Sequence, residues 1–166
     1  ETDRTLPHAS GLDFRKVHLQ TTGNLKTDRI QALQLDPFGN IWIGSSNGVG
    51  KVVSRSLAVQ FNALPSLDPT LKNQRVMSPT LDPYGRLWFG LHEGGLYRFD
   101  LETKQLELIA KPPGRVNVIR RDFSGKGLLI GWGNQLFSIA DAGAAKPVLQ
   151  SMGTYERGVH DVVALS

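Results

Sequence analysis

The feature that most constrains the fold is a ten-residue pattern that occurs twice in the chain. Residues 35–44 read Leu-Asp-Pro-Phe-Gly-Asn-Ile-Trp-Ile-Gly, and residues 81–90 read Leu-Asp-Pro-Tyr-Gly-Arg-Leu-Trp-Phe-Gly. Six of the ten positions are identical and three more differ conservatively. A weaker third copy runs over residues 121–131, with Leu129 in place of the tryptophan. The closing glycines of the three copies lie 46 and 41 residues apart, a period that indicates a repeat architecture.

Each copy contains residues with a definite structural task. Asp-Pro-Phe-Gly and Asp-Pro-Tyr-Gly are turn sequences, because proline fixes φ, aspartate bonds the following backbone and glycine accepts positive φ. The repeated tryptophans stand among β-branched and aliphatic neighbours, so we expect them to pack between adjacent repeats. The predicted structural positions of the repeat are Asp36, Gly39, Trp42, Asp82, Gly85, Trp88, Asp122 and Gly125.

Four short β-rich runs, separated by tight turns, follow one another in each repeat. This spacing predicts an all-β protein built from four-stranded antiparallel blades of a β-propeller. Pro79 falls inside a predicted first strand, which fits the channel-lining edge of a blade, because proline is tolerated at an edge or a bulge. The predicted organisation is a lead-in at residues 1–12, a partial propeller at 13–166 with blades at about 29–62, 75–110 and 115–150, and the start of a fourth blade at 159–166.

The composition excludes several other classes of protein. The 166 residues are 40% hydrophobic and 20% charged, and no run approaches the roughly 20 apolar residues that cross a bilayer. The chain has no cysteine, which excludes disulfides, thiolate nucleophiles and cysteine zinc sites. The net charge is +4, but the basic residues are scattered, so we expect no nucleic-acid partner. The histidines show no metal-ligand spacing, and we predict neither a metal nor a cofactor.

The repeat resembles that of a known family. Asp-x-x-Gly-x-Leu/Ile-Trp-Ile/Phe-Gly, followed in residues 94–100 by Gly-Gly-Leu-Tyr-Arg-Phe-Asp, is similar to the two-component regulator propeller repeat. In that family the propeller is the periplasmic sensor region of a membrane-spanning histidine kinase, hybrid kinase or diguanylate cyclase. The resemblance covers about residues 13–166 and implies a ligand-sensing module of a bacterial receptor that is not itself an enzyme. It also implies that the output domain and any membrane segment lie outside these residues.

The number of blades is too small for a closed ring. Propellers contain about four to eight blades, and at ~40–45 residues per blade a seven-bladed ring needs about 300 residues. The chain supplies three blades and the start of a fourth. We therefore expect these blades to be part of a larger propeller. The alternative is that two copies share one ring, because exposed blade edges favour self-association.

Strand alternation divides the connections between two faces of the predicted propeller. The turn face carries the Asp-Pro turns at residues 36–39 and 82–85, and the loop face carries the connections that vary between repeats. Variable loops on a regular scaffold are where recognition usually occurs. An exposed aromatic ring beside hydrogen-bonding groups would suit a carbohydrate or another small polar ligand. The predicted ligand-binding residues of the loop face are Asn47, His92, Glu93, Trp132 and Asn134.

Support for catalysis is thin. His92 and Glu93 form an adjacent acid–base pair, but neither a nucleophile elbow nor a phosphate-binding glycine loop accompanies them. Two other functions stay open. The repeat also resembles that of streptogramin lyase propellers, to which Leu-Trp-Phe-Gly at residues 87–90 is similar, and a propeller face could instead serve as a scaffold for protein contacts.

Overall fold

The computed structural model describes residues 20–22, 29–53, 58–111 and 114–162. The predicted lead-in at residues 1–12 and the last four residues of the predicted fourth-blade strand lie outside this part of the chain. Within it the strands form three sheets, each with four consecutive strands paired antiparallel. The prediction of an all-β fold made of propeller blades is therefore confirmed.

The three blades share one strand order, from the first strand at the centre of the propeller to the fourth at its rim. Blade one contains β2 (Ile30–Leu35), β3 (Ile41–Ser45), β4 (Gly48–Val53) and β5 (Ala58–Ala63), with β1 (Gln20–Thr22) added in parallel to β5. A short helix α1 (Leu64–Leu67) and a 3-10 helix (Pro69–Leu71) lead to the next blade. Blade two contains β6 (Val76–Leu81), β7 (Arg86–Leu91), β8 (Leu96–Asp100) and β9 (Leu106–Ala110). Blade three contains β10 (Val116–Arg121), β11 (Leu128–Trp132), β12 (Gln135–Ile139) and β13 (Gln150–Thr154).

The core lies between blades. Trp42 of blade one belongs to the same buried cluster as Val76 of blade two, and Trp88 of blade two belongs to the same cluster as Val116 of blade three. The two indoles are only 1% and 0% exposed. Each tryptophan therefore lies in the core that its blade shares with the first strand of the next blade.

A glycine near the end of each second strand lets the next blade approach. A Cβ atom at Gly90 would lie 2.2 Å from the Cβ of Val116, and one at Gly44 would lie 2.7 Å from the carbonyl oxygen of Val76. Both separations are too short for real contacts, so a larger residue would push the neighbouring strand away. The closing glycine of the sequence pattern is therefore required by packing between blades.

The segment after blade three begins to pack in the same way. A Cβ atom at Gly131 would lie 2.8 Å from both Cγ1 and the carbonyl oxygen of Val159. The Val159 N–H donates to the carbonyl of Gly133 at 2.8 Å. Val159 therefore packs against Gly131 of blade three in the way that Val116 packs against Gly90 of blade two. The remainder of the predicted fourth-blade strand, beyond Val162, lies outside the described residues.

The first strand of blade two contains a bulge where it lines the channel. The pairing of β6 with β7 shifts register between Met77 and Thr80, and Ser78 in this stretch has a φ of 45°. Ser78 Oγ accepts the N–H of Ile119 at 2.8 Å, and Thr80 Oγ1 donates to the Ile119 carbonyl at 2.9 Å. The bulge accommodates Pro79, which has no N–H to pair, and it bonds blade two to blade three.

One strand lies later in the chain than the repeat predicts. The repeat places the fourth strand of blade three near Pro147–Gln150, within a blade that ends at residue 150, but β13 begins at Gln150 and ends at Thr154. In the loop before it, the carbonyls of Ala142 and Ala144 accept hydrogen bonds from arginines of blade two. Because this loop packs on the neighbouring blade and Pro147 has no N–H, pairing with β12 begins only afterwards.

Candidate functional site

His92 and Glu93 lie on the loop face, in the tight turn between β7 and β8. Glu93 is exposed, and its Oε2 accepts a hydrogen bond from Gln74 Nε2 at 2.8 Å. His92 is half-buried, and its backbone N–H donates to the carbonyl of Arg75 at 3.0 Å. The turn is therefore tied to the segment that leads into the first strand of its own blade.

The contact with Glu93 fixes the direction of the Gln74 amide. A carboxylate only accepts hydrogen bonds, so the amide nitrogen must face Glu93 and Oε1 must face away from it. In this orientation Gln74 Oε1 is buried and has no hydrogen-bond partner among the described residues. Leaving a buried acceptor without a donor costs about 1–3 kcal/mol. A hydroxyl or N–H of a ligand would remove this cost only if the turn moved to admit it, because Oε1 is buried.

A second buried amide lies at the corresponding end of blade one. Gln31 Nε2, on β2, is also buried and without a partner in the described part of the chain. Gln31 sits where the pairing of β2 shifts register between Ile30 and Ala32. The loop-face ends of two neighbouring blades therefore each carry one unsatisfied amide group, a donor at Gln31 and an acceptor at Gln74.

The two asparagines of the predicted site form hydrogen bonds that tie together the loops of their own blades. The Asn47 backbone N–H donates to Ser45 Oγ at 3.2 Å, and its carbonyl accepts the N–H of Leu64 at 3.0 Å. The exposed Asn134 donates from Nδ2 to the carbonyl of Tyr155 at 3.0 Å. Both residues hold the shape of the loop face.

The expectation that Trp132 is an exposed ligand-binding ring is wrong. Trp132 is 2% exposed and lies in the buried cluster between blades two and three. Its indole N–H donates to the carbonyl of Gly114 at 2.8 Å, and its ring meets the edge of Phe137 with centres 6.4 Å apart. Trp132 follows Gly131 directly, a position that the buried Leu91 occupies after Gly90 in blade two. Alignment of the repeats would therefore have identified Trp132 as a core residue.

The structure brings together only part of the predicted loop-face site. His92 and Glu93 share one turn, and Gln74 joins them through its hydrogen bond to Glu93. Within the described ranges, no hydrogen bond links Asn47, His92 and Asn134, each of which belongs to a different blade. Gln74 was missed because nothing in its polar sequence context distinguishes it from an ordinary loop residue.

On the turn face, the aspartates of the first two repeats each perform two tasks. Asp36 Oδ1 accepts the backbone N–H groups of Phe38 and Asn40 at 2.9 Å, which closes the turn. Asp36 Oδ2 accepts the indole N–H of Trp42 at 3.0 Å, and Asp82 holds Trp88 in the same way at 2.9 Å. The sequence pattern predicts only the turn. The equal spacing of six residues between aspartate and tryptophan in both copies was the signal for the second task.

The Asp36 carboxylate is stabilised in its ionised form. Burial raises the pKa of Asp36, but hydrogen bonds from Asn40, Trp42 and Phe38 outweigh burial, so the pKa lies below its ordinary value of 3.8. Because the folded-state pKa is lowered, the stability that this carboxylate contributes is present above the ordinary value and is lost as the pH falls through the lowered one.

The described part of the chain contains neither a metal-ligand cluster nor a membrane-spanning helix. No three histidine, aspartate or glutamate side chains there come together in a way that would hold a metal ion. No helix formed by the described residues is long and apolar enough to cross a membrane.

Known proteins share both the repeat and the fold. Residues 24–47 match the family described as "Two component regulator propeller". No curated protein matches the chain significantly. Among solved structures, one similar chain is the extracellular domain of a protein described as a hybrid two-component system of B. thetaiotaomicron. It is 22% identical with a TM-score of 0.63, over 79% of this chain and 18% of that one.

Two further structures extend this comparison. A second extracellular domain of a hybrid two-component system from B. thetaiotaomicron is 20% identical with a TM-score of 0.58, over 81% of this chain and 18% of that one. A catalytically inactive virginiamycin B lyase from Staphylococcus aureus, solved with quinupristin, is 16% identical with a TM-score of 0.58, over 76% of this chain and 41% of the lyase.

The likeness to these structures is one of fold, and the chain spans only 18% of the length of the two extracellular domains. The repeat itself is what carries the relationship, because residues 24–47 include the first Asp-Pro turn and its tryptophan. The sequence resemblance is thereby confirmed: blade one carries a two-component regulator propeller repeat, and the chain is a segment of a β-propeller.

Proposed function

We propose that this chain is the ligand-sensing part of a bacterial receptor, that it is not itself catalytic, and that it passes a signal to a kinase or cyclase domain elsewhere in the same protein. The observation that carries the proposal is the family match over the first repeat. The neighbours described as extracellular domains of hybrid two-component systems support the same reading. By analogy with them, the segment lies outside the cytoplasm, in the periplasm, and connects to the membrane through a segment outside this chain.

The loop face is the proposed ligand site, with Gln74 and Glu93 at its centre. Gln74 Oε1 lacks a donor, and Gln31 Nε2 on the neighbouring blade lacks an acceptor, among the described residues. A hydroxyl group can both donate and accept, so it suits either amide. This chemistry favours a small polyhydroxyl ligand, such as a carbohydrate. The basic residues are scattered along the sequence and do not form the continuous stripe that would bind a nucleic acid.

Such a ligand would act by shifting an equilibrium between two arrangements of the blades. A ligand can shift the equilibrium only by its difference in affinity for the two states. The Gln74–Glu93 contact joins the segment before the first strand of blade two to the turn after its second strand. Binding there would therefore change how the first strand of the blade sits beside the channel.

The proposed site is tested by measuring sugar binding to the chain and to two variants. We expect a neutral oligosaccharide from a panel based on glucose, xylose, arabinose and galactose to raise the melting temperature and to bind in calorimetry. Gln74→Leu removes the amide and should weaken that binding about tenfold, which corresponds to ~1.4 kcal/mol. Glu93→Gln should weaken it as well, since a glutamine at this position no longer fixes the direction of the Gln74 amide.

The matched control is Glu102→Gln, which removes an exposed carboxylate from the turn between β8 and β9 on the opposite face. It should leave sugar binding unchanged. Equal affinity of the chain and the Gln74→Leu variant would contradict the placement of the site. A panel in which no sugar binds would contradict the ligand class.

The alternative of a lyase is favoured by one observation, the fold shared with the virginiamycin B lyase. In this chain the acid–base pair would be His92 and Glu93, but Glu93 is already engaged by Gln74. Release of the ligand unchanged after prolonged incubation supports the sensor, whereas a product of altered mass would establish an enzyme. Capture of a macromolecule without any effect of small solutes would instead indicate a scaffold for protein contacts.

A further blade of the same receptor is the proposed partner of blade one. Ile30, Leu35 and Ile41 are 50%, 63% and 41% exposed. The residues at the same repeat positions in blade two are buried under blade one, and they are Val76 (0%), Leu81 (7%) and Leu87 (0%). An apolar face of this kind requires a covering blade. In the isolated chain a second copy would cover it, so the isolated chain should self-associate.

A further inference from the structure

We propose that the turn face holds a second site, a binding site for a small oxyanion, which Arg120 and Arg121 build at the mouth of the central channel. A cavity of about 390 Å³ opens where the first strands of the three blades end. Its polar lining consists of Gln34, Asp36, Thr80, Arg120 and Arg121. Ligand cavities of small molecules usually begin at about 300 Å³, so the space suits a small ligand.

Comparison of the repeats shows that the blade architecture does not require these arginines. The two residues before the repeat aspartate are Gln34-Leu35 in blade one and Thr80-Leu81 in blade two, but Arg120-Arg121 in blade three. Leucine at the second position packs between blades, as the 7% exposure of Leu81 illustrates. The basic pair is therefore a departure from the repeat that packing does not explain.

Arg121 is held in place but lacks a counter-charge. Its Nε–H donates to the carbonyl of Leu81 at 2.8 Å, which fixes the guanidinium against blade two. A guanidinium has five N–H donors, and this contact uses one of them. Among the described residues no carboxylate lies within salt-bridge distance of Arg121, and no other hydrogen bond from its guanidinium is formed. Four donors are therefore available to a ligand.

Arg120 approaches the cavity from the channel side. Its Nη1 donates to Gln34 Oε1 of blade one at 2.9 Å and to the carbonyl of Ile119 at 3.3 Å. Its Nη2 lies 3.5 Å from Asp161 Oδ1, in a pair whose side chains are 39% and 65% exposed. Ion pairs this exposed contribute little, so an incoming anion can compete with Asp161.

The remaining carboxylate of the cavity, Asp36, does not neutralise the arginines. Both of its oxygens accept hydrogen bonds from its own repeat, namely from Phe38, Asn40 and Trp42. Asp36 is 5% exposed, and these hydrogen bonds stabilise the charge of its carboxylate. The guanidinium groups are left as the charged donors that face the cavity.

Two guanidinium groups select a particular ligand chemistry. Their planar donor arrays match carboxylate, sulfate and phosphate groups, which they bind through paired hydrogen bonds. Gln34, whose amide bonds both Arg120 and the Leu35 carbonyl, and Thr80, which is 4% exposed and bonded to Ile119, line the same cavity. The geometry points to a small oxyanion, either free or as the acidic group of a larger ligand.

Titration with sodium sulfate, at an ionic strength held constant with sodium chloride, tests this site by calorimetry. We expect a saturable heat in the unaltered chain. Arg121→Leu and Arg120→Gln introduce the residues that blade one carries at these positions, so the fold should survive while sulfate affinity falls at least tenfold. Lys111→Gln, which removes an exposed cation from the end of blade two, is the control and should bind sulfate like the unaltered chain.

Each outcome has a definite meaning. Sulfate binding that Arg121→Leu weakens supports the site. Glucuronate binding that glucose does not reproduce also supports it and identifies the acidic group of a sugar as a ligand. An equal rise in melting temperature with sulfate in the unaltered chain and the Arg121→Leu variant, without saturable heat, would overturn the proposal, because excluded salts stabilise any folded protein. If Arg121→Leu does not fold, Arg121→Gln provides the same comparison.

Discussion

Replacing Trp88 by alanine is expected to lower the free energy of unfolding by about 3–5 kcal/mol, the usual cost of truncating a large buried aromatic residue. Trp88 is fully buried and packs with Val116 and Ile130 of the next blade. Its indole N–H also satisfies Asp82 Oδ2 at 2.9 Å, so truncation leaves a buried carboxylate oxygen without that donor. Urea unfolding followed by circular dichroism measures the change.

Two further variants separate the contributions of packing and hydrogen bonding. Trp88→Phe keeps an aromatic ring but loses the N–H, and it should cost less than alanine does. Phe123→Ala truncates an aromatic residue that is 62% exposed in the third repeat turn, and it should change stability by no more than about 0.5 kcal/mol. Similar losses for Trp88→Ala and Phe123→Ala would contradict the packing of blades around the repeated tryptophan.

Replacing Arg98 by methionine should lower the free energy of unfolding by about 2–3 kcal/mol, because several hydrogen bonds to a charged group are lost together. Arg98 is 8% exposed and lies over the Trp88 ring, 5.7 Å from its centre. Its Nη1 donates to the carbonyls of Ala144 at 2.7 Å and Ala142 at 3.2 Å, and its Nη2 donates to Glu107 at 2.6 Å. The expected loss stays moderate because Glu107 is 49% exposed and water can replace part of the pair.

Hydrogen exchange identifies where the Arg98 contact acts. The loop at residues 140–146 belongs to blade three but is bonded to blade two, so its amides should exchange faster in Arg98→Met while those of β6 and β7 change less. Arg115→Met, which alters an exposed arginine on the loop face, is the control and should have little effect on stability. An Arg98→Met variant as stable as this control would show that the loop does not join the two blades.

The fold could be predicted because the same turn residues and strand residues recur in successive repeats. The first strands lie at Ile30–Leu35, Val76–Leu81 and Val116–Arg121, so each begins one residue after the predicted start of its blade. Each ends directly before the repeat aspartate, whose side chain bonds the following backbone and stops the strand. β13 was misplaced because its start depends on Arg98 and Arg86, which lie far away in sequence and hold the preceding loop.

The candidate site was predicted less well, for a related reason. His92 and Glu93 were found because a variable turn on a regular scaffold is visible in sequence. Gln74 was not, because its importance comes from the direction that Glu93 imposes on its amide across the base of the blade. Trp132 was misassigned because its neighbouring glycine and asparagine suggested a loop, whereas the residue closes a core strand.

The most direct test of the account as a whole is the sequence of the reading frame that contains this segment, read beyond Ser166. The proposed sensor predicts further Asp-x-x-Gly-x-x-Trp repeats that complete the propeller, then a stretch of ~20 apolar residues that crosses the membrane and a kinase or cyclase domain. A frame that closes a single ring and then ends without a membrane segment would contradict it, and a lyase or a secreted binding protein would become the better explanation.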